Sequence, residues 1–144
     1  MVQSMDATLE DLDREECLKL VGSLSIGRLA VTVEEYDAPL VVPVNYVLDG
    51  EVVVFRSGPG SKLRALRDTP VSFQVDLIDP FHRTGWSVLI RGVAREATDR
   101  EVEHLVVETW APGDKHHWIR VLPTVVTGRT IQLPDVPWES RGYR

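Results

Sequence analysis

Three apolar, β-branched runs follow one another in close succession: IGRLAVTV from Ile26, PLVVPVNYVL from Pro39 and EVVVFRS from Glu51. They are broken by Asp37-Ala38-Pro39 and by Asp49-Gly50, and an Asp-Gly pair between two such runs is a strong hairpin signal. A chain that starts this way has to pair its strands antiparallel and bury one face of each. VSFQVDLI from Val71 supplies a fourth run, Trp86 to Arg95 a fifth that Gly92 would bend, and the stretch from about Pro123 to Leu133 a last one. Between them the helical signals are short. Asp13-Arg14-Glu15-Glu16 has the form of a capping box, followed by Cys17, Leu20, Val21 and Leu24 at spacings of three and four, with Gly22 near the helix end. Gly58-Pro59-Gly60 opens a second helix over Ser61 to Asp68. Asp99 caps a third that carries Val102, Leu105, Val106 and Trp110 at helical spacing. Six strands joined largely as hairpins, with few short helices, predict a mainly β fold, a small six-stranded antiparallel barrel.

A length of 144 residues suits one domain with a real core and leaves no room for a second. The expected organisation is a loose tail over residues 1–10, a single domain over 11–134 and an irregular tail over 135–144. Cys17 is the one cysteine, so no internal disulfide can form and no cysteine pair can hold a metal, which fits a reducing compartment. The first residues are polar and acidic where a signal peptide is basic and then apolar, and no run approaches the ~20 apolar residues that span a bilayer. A soluble, cytoplasmic protein with no membrane partner is expected. With 22 acidic against 16 basic residues the net charge is −6, which disfavours a nucleic-acid partner, since that needs a basic face.

One local basic site stands out against that background. Between Arg56 and Arg67 the run RSGPGSKLRALR carries Arg56, Lys62, Arg64 and Arg67 and no acid. Gly58 and Gly60 let backbone N–H groups turn toward a ligand, Ser61 can donate a hydroxyl, Lys62 brings charge, and the helix start adds its partial positive end. These are the parts of an anion cradle. The glycine-to-lysine spacing is wrong for a Walker loop and Leu63 occupies the third glycine's place of a dinucleotide fingerprint. The same residues also suit a plain Gly/Pro turn leading into a solvated basic helix.

The order of a helix, GRLAV, PLVVPVNYVL, a hairpin, VVFRSGPGSKLRAL, VSFQVD and WSVLIRGVARE resembles the flavin-binding split barrels related to pyridoxamine-phosphate oxidase, over about residues 12–96, with a weaker echo in VVTGRTI. The resemblance implies a split barrel of the FMN-binding type, with the phosphate of flavin mononucleotide at the start of the helix after VVFRS. Arg56, Ser57, Ser61 and Lys62 would be the phosphate-side contacts. Val44, Asn45 and Tyr46 would line the ring or ribityl chain, and Ser87 would reach the flavin from its strand. It further implies a homodimer with two cofactor sites at the interface. In the superfamily the segment before the last strand approaches the partner's flavin, which makes Trp118 a candidate contact for cofactor or small-molecule substrate. Plain barrel packing is the competing reading for Val44 and Tyr46, and core or dimer packing for Trp86, Trp110, Trp118 and Trp138.

No metal site is expected. His116 and His117 are adjacent and diverge on either kind of element, while His82 and His104 lack partners at a recognised ligand spacing and suit surface or capping roles. No Gly-x-Ser-x-Gly elbow is present, and no acid or base stands out as catalytic. The leading reading is a flavin-dependent oxidoreductase acting on a small substrate, in which the protein orients the cofactor. A non-catalytic flavin-binding protein for storage or sensing is the second, and a reductase using the deazaflavin F420 the third, with Arg64 and Arg67 serving its longer acidic tail. A true pyridoxamine-phosphate oxidase is not expected: relatives with that activity carry a lysine where this chain has Tyr46, and their C-terminal Arg/His signature is only faintly echoed by Trp118-Ile119-Arg120-Val121-Leu122-Pro123.

Overall fold

A computed structural model describes residues 8–132 of the chain. Its elements run β1 (Thr8–Leu12), α1 (Arg14–Val21), β2 (Ile26–Val31), β3 (Leu40–Asp49), β4 (Val52–Ser57), α2 (Ser61–Ala65), β5 (Thr69–Asp79), β6 (Thr84–Glu96), α3 (Asp99–Val102) and β7 (His117–Gln132). The strands lie in the order β1-β7-β4-β3-β2-β5-β6, and β6 also pairs with β7. That extra pairing closes six strands into an antiparallel barrel and leaves β1 attached outside it. The fold class expected from sequence is therefore the one observed, with one strand more.

Local chemistry explains the elements that sequence could reach. Asp49-Gly50 turns β3 into β4, with Gly50 at φ 62, a left-handed conformation that suits glycine. Asp13 accepts from the Glu16 amide at 2.8 Å while Glu16 accepts from the Asp13 amide at 3.1 Å, which is the capping box in full. The register of β6 against β7 shifts between Arg91 and Gly92, where the bend was expected. The interior is lined by alternate residues of each strand, among them Leu29, Phe55, Phe73, Ile90 and Ile119, all essentially without solvent exposure. Each such side chain is worth roughly 1.5–3 kcal/mol of burial. Helix α1 packs against β6 and β7. Its Cys17 lies so near Gly128 that a Cβ there would come within 2.6 Å of the sulfur.

Three expectations need correction. Thr8–Glu10, assigned to the loose tail, belong to β1, whose register runs Thr8 to Gln132 through Leu12 to Gly128. The helix at Asp99 is a single turn ending at Val102, and its N-cap is Thr98, which forms a capping box with Glu101. Residues 103–116 instead run as an irregular segment across the outer face of β4. The last strand begins at His117 rather than near Pro123 because its first half pairs with β4, from Val53–Val121 to Ser57–His117. Trp138 and the rest of the expected C-terminal tail lie outside the described residues.

Candidate functional site

The outward face of β4 and the turn that follows it carry the candidate residues. Val53, Phe55 and Ser57 point into the barrel, so Val54 and Arg56 point out. Val54 is nevertheless fully buried, with Val102 and Val107 buried beside the main core, because the 103–116 segment covers this face. Two side chains pin the segment down. Asn45 accepts a hydrogen bond from the Trp110 amide at 3.0 Å. Arg56 donates through Nε to the Lys115 carbonyl at 2.9 Å and through Nη1 to the Val107 carbonyl at 3.4 Å. Its guanidinium also lies 5.4 Å from the centre of the Trp118 ring, the residue opposite it on β7.

The root of the segment is held by charge and its end by a histidine–carboxylate contact. Glu101 takes a forked pair of hydrogen bonds from Arg95, at 3.0 and 2.6 Å, and a further one from Arg120. These bonds, Arg95's first and then the Thr98 amide's, hold the Glu101 carboxyl well below the usual carboxylate range. At the other end His117 meets Glu96 at 2.6 Å.

The turn itself combines close approach with charge. A Cβ on Gly58 would sit 2.8 Å from the Asp114 carbonyl, so only glycine lets the segment come this near. Gly60, at φ 130, caps α2 without any side-chain hydrogen bond. Because α2 has only five residues, its dipole is a minor source of positive potential and the side chains matter more. Lys62 is half-buried and makes no ion pair among the described residues. Burial first, and the charge of Lys115 second, push its pKa below the ordinary lysine value.

The sequence-predicted residues thus divide into groups. Arg56, Ser57 and Trp118 meet at one end of β4, with Asn45 joined to them through the segment it anchors, and Lys62 lies in the short helix that follows the turn. Ser57 has no solvent exposure and donates to the Gly58 carbonyl at 3.0 Å, bracing the turn from below. Ser61 lines a recess of about 420 Å³ that it shares with Thr32, Glu34, Glu35 and Arg64, where the one cation is paired with Glu35. Val44 and Tyr46 belong to the barrel interior, and Tyr46 packs edge-on against Phe73 with ring centres 4.9 Å apart. Only the backbone of those two residues borders the outer face. Ser87 pairs with Arg129 while Arg56 pairs with Trp118, so the two stand toward opposite ends of β7, roughly 36 Å apart along a strand rising about 3.3 Å per residue.

Each of the four histidines sits against a carboxylate: His82 with Asp79, His104 with Asp49, His116 with Asp114 and His117 with Glu96. No group of three metal-ligating side chains occurs among the described residues. Sequence reasoning missed Lys115. It lies in a polar stretch with no pattern of its own, and only the approach of Asp114 to Gly58 and the bond from Arg56 to its own carbonyl bring it to the turn.

Comparison with known proteins adds the family context. The family described as Pyridoxamine 5′-phosphate oxidase matches residues 13–130. The uncharacterized protein Rv0080 of Mycobacterium tuberculosis is 31% identical over 130 residues, covering 84% of each chain. The solved FAD binding protein from Mycobacterium smegmatis is 34% identical, with a TM-score of 0.65 over 85% of this chain and 98% of that one. A FAD-binding protein from Mesorhizobium loti is 27% identical, with a TM-score of 0.72 over 88% and 99%.

Proposed function

Because the chain belongs to the pyridoxamine 5′-phosphate oxidase family, we propose that it binds a flavin nucleotide, FMN in the first instance, at the Gly58–Lys62 turn and uses it as an oxidoreductase on a small substrate. The observation that carries this reading is Lys62, a half-buried cation with no ion pair among the described residues, beside a turn of closely approached glycine. A phosphate near −2 supplies the opposite charge that such a lysine lacks. When bound, the flavin supplies the hydride chemistry. The protein's own part is to seat the phosphate with Lys62, to offer the Asn45 side chain and the outward backbone of β3 to the ring, and to keep water off with Trp118 and the 103–116 segment.

FAD is the second reading, favoured by the names of two solved relatives at 34% and 27% identity. The F420 reading is weakened by two ion pairs: Arg64 meets Glu35 at 3.3 Å and Arg67 meets Glu96 at 3.5 Å, so the cations meant for its acidic tail are already engaged. A non-catalytic flavin carrier keeps the same site and differs only in lacking turnover. The lone Cys17 is free and buried, in keeping with a cytoplasmic setting, and no described helix is long and apolar enough to cross a membrane.

Homodimerisation belongs to this reading. Ser87 is too far from Lys62 along the barrel to share a ligand within one chain, but a two-fold arrangement lets Ser87 of one copy face the turn of the other. Val41, Leu89, Val93 and Leu122 leave apolar surface on the barrel exterior that a second copy would cover. The test of the whole proposal is the absorption spectrum and mass of the small molecule released when the purified protein is heat-denatured, followed by turnover with a nicotinamide donor. A protein that releases no flavin and takes up neither FMN nor FAD would end it.

A further inference from the structure

Most of the positive charge around the Gly58–Gly60 turn is already committed. Arg64 pairs with Glu35, Arg67 with Glu96, and Arg56 gives two donors to backbone carbonyls while lying over Trp118. Two cations are left. Lys62 has no ion pair among the described residues, and the same is true of Lys115, half-buried on the segment that crosses β4.

Nothing in the sequence separation of these two lysines requires them to be neighbours, yet the fold brings them together. The Asp114 carbonyl abuts Gly58, at a distance that excludes a Cβ there. Arg56 holds the next carbonyl, that of Lys115, at 2.9 Å. The charge of Lys115 is felt at Lys62, where it adds to burial in disfavouring the ammonium form. Asp114, next to Lys115 in sequence, is turned to His116 at 2.6 Å, and Glu96 to His117 at 2.6 Å. Two like charges that act on one another at a half-buried site repel, and a dianion placed between them turns that repulsion into two attractions.

We propose that Lys115 is a second phosphate-binding cation, closing with Lys62 from the opposite side on the phosphate group of the flavin nucleotide; this rests on the flavin reading above. The 103–116 segment thereby becomes a strap with a ligand-dependent anchor. Asn45 and Arg56 hold it in the free protein, and the bound phosphate adds a third attachment through Lys115. Whatever binds the strapped form preferentially stabilises it by mass action, so the cofactor and the strap hold each other in place.

The test is titration of the apo-protein with FMN and, separately, FAD, followed by flavin fluorescence, for the wild type, Lys115→Ala and Lys115→Arg. Far-UV circular dichroism checks that the variants fold, as the half-buried position of Lys115 leads one to expect. Lys115→Ala should weaken binding about 10- to 100-fold, the range for one charge-assisted contact, and Lys115→Arg should restore most of it. Hydrogen exchange supplies a second readout: saturating flavin should slow amides of residues 103–116 in the wild type and fail to do so in Lys115→Ala. Flavin that binds the wild type and Lys115→Ala within twofold of each other, with equal protection of the segment, overturns the inference while leaving the flavin site standing. A wild type that binds neither flavin overturns both.

Discussion

The Tyr46 hydroxyl donates a hydrogen bond to the Val21 carbonyl, the last residue of α1, and so ties strand β3 to the helix inside the barrel. Burial pushes the Tyr46 pKa from 10.0 up to about 12. A proton held more tightly in the folded state stabilises below the unfolded value and is lost as pH climbs through the folded one. The contribution of Tyr46 is therefore whole below about pH 10 and declines between 10 and about 12. Tyr46→Phe removes the bond and leaves the Val21 carbonyl buried without it, at a cost of about 1–3 kcal/mol in urea unfolding. The variant should also lose the alkaline decline while keeping flavin affinity within about twofold, since the ring lies in the core. A loss of affinity larger than the loss of stability would return Tyr46 to the binding surface.

Lys62→Ala should weaken FMN binding by roughly 10- to 150-fold, the equivalent of about 1.5–3 kcal/mol for a hydrogen bond to a charged group. Raised salt should narrow the gap between variant and wild type, because the lysine is only half-buried and screening reaches it. Equal dissociation constants in a fluorescence titration would remove Lys62 from the site.

Glu101 holds Arg95 and Arg120 together at the root of the segment. Its carboxyl is depressed from an ordinary 4.5, so the stability it brings is present above that value and lost as pH falls toward the depressed one. Glu101→Gln should lower the thermal midpoint at neutral pH and flatten the acid limb of the stability curve. An unchanged acid limb would mean that the two arginines find other partners.

A two-fold dimer is expected at micromolar concentration, with Ser87 of each copy near the turn of the other. Leu89→Glu, on the same outward face of β6 as Ser87, should shift sedimentation toward a single chain and weaken flavin binding in parallel. A dimer that persists with flavin retained would require a different interface.

Turnover of pyridoxine phosphate or pyridoxamine phosphate is not expected. A second phosphate pocket would need free basic side chains besides Lys62 and Lys115, and the others near the C-terminal signature are engaged: His117 by Glu96, Arg120 by Glu101, and Arg129 near Asp11 at 3.7 Å. Incubation of the flavin-loaded protein with either substrate in air should yield no pyridoxal phosphate. Sustained formation at about 0.1 per second or faster, within the ordinary enzymatic range, would reverse the expectation.

The parts of this structure that a reader of the sequence could reach are those settled by near neighbours. Asp13 and Glu16 cap each other three residues apart, Asp49-Gly50 makes its own turn, and Gly92 marks its own bulge. The barrel followed from counting such pieces. The rest depends on residues far apart in the chain. Thr8–Leu12, with sequence TLEDL, has no strand alternation and is a strand because β7 offers it an edge. Val102, Leu105, Val106 and Trp110 keep helical spacing, yet Val106 and Trp110 are among the most exposed apolar residues while Val107 is buried. The Val107 carbonyl, which a helix would have used, is taken by Arg56, and the Trp110 amide by Asn45. PLVVPVNYVL is apolar on both faces, so the sequence alone could not say that Val44 and Tyr46 face inward and Asn45 outward. Lys115 was invisible for the same reason: its importance lies in where Gly58 and Arg56 put it.

Closing β6 onto β7 has a consequence for how this protein behaves in a crowded solution. A ring of strands satisfies its own amide and carbonyl rows, leaving little template on which another chain could grow a fibril. Among the described strands β1 is the one with a neighbour on a single side, and its outer row is guarded by Glu10 and Asp11, both exposed, whose charges would be stacked against like charges in any edge-to-edge copy. Self-association is thereby steered from backbones to side chains. Single substitutions on the barrel wall can then make or dissolve an oligomer without putting the fold itself at risk of polymerising.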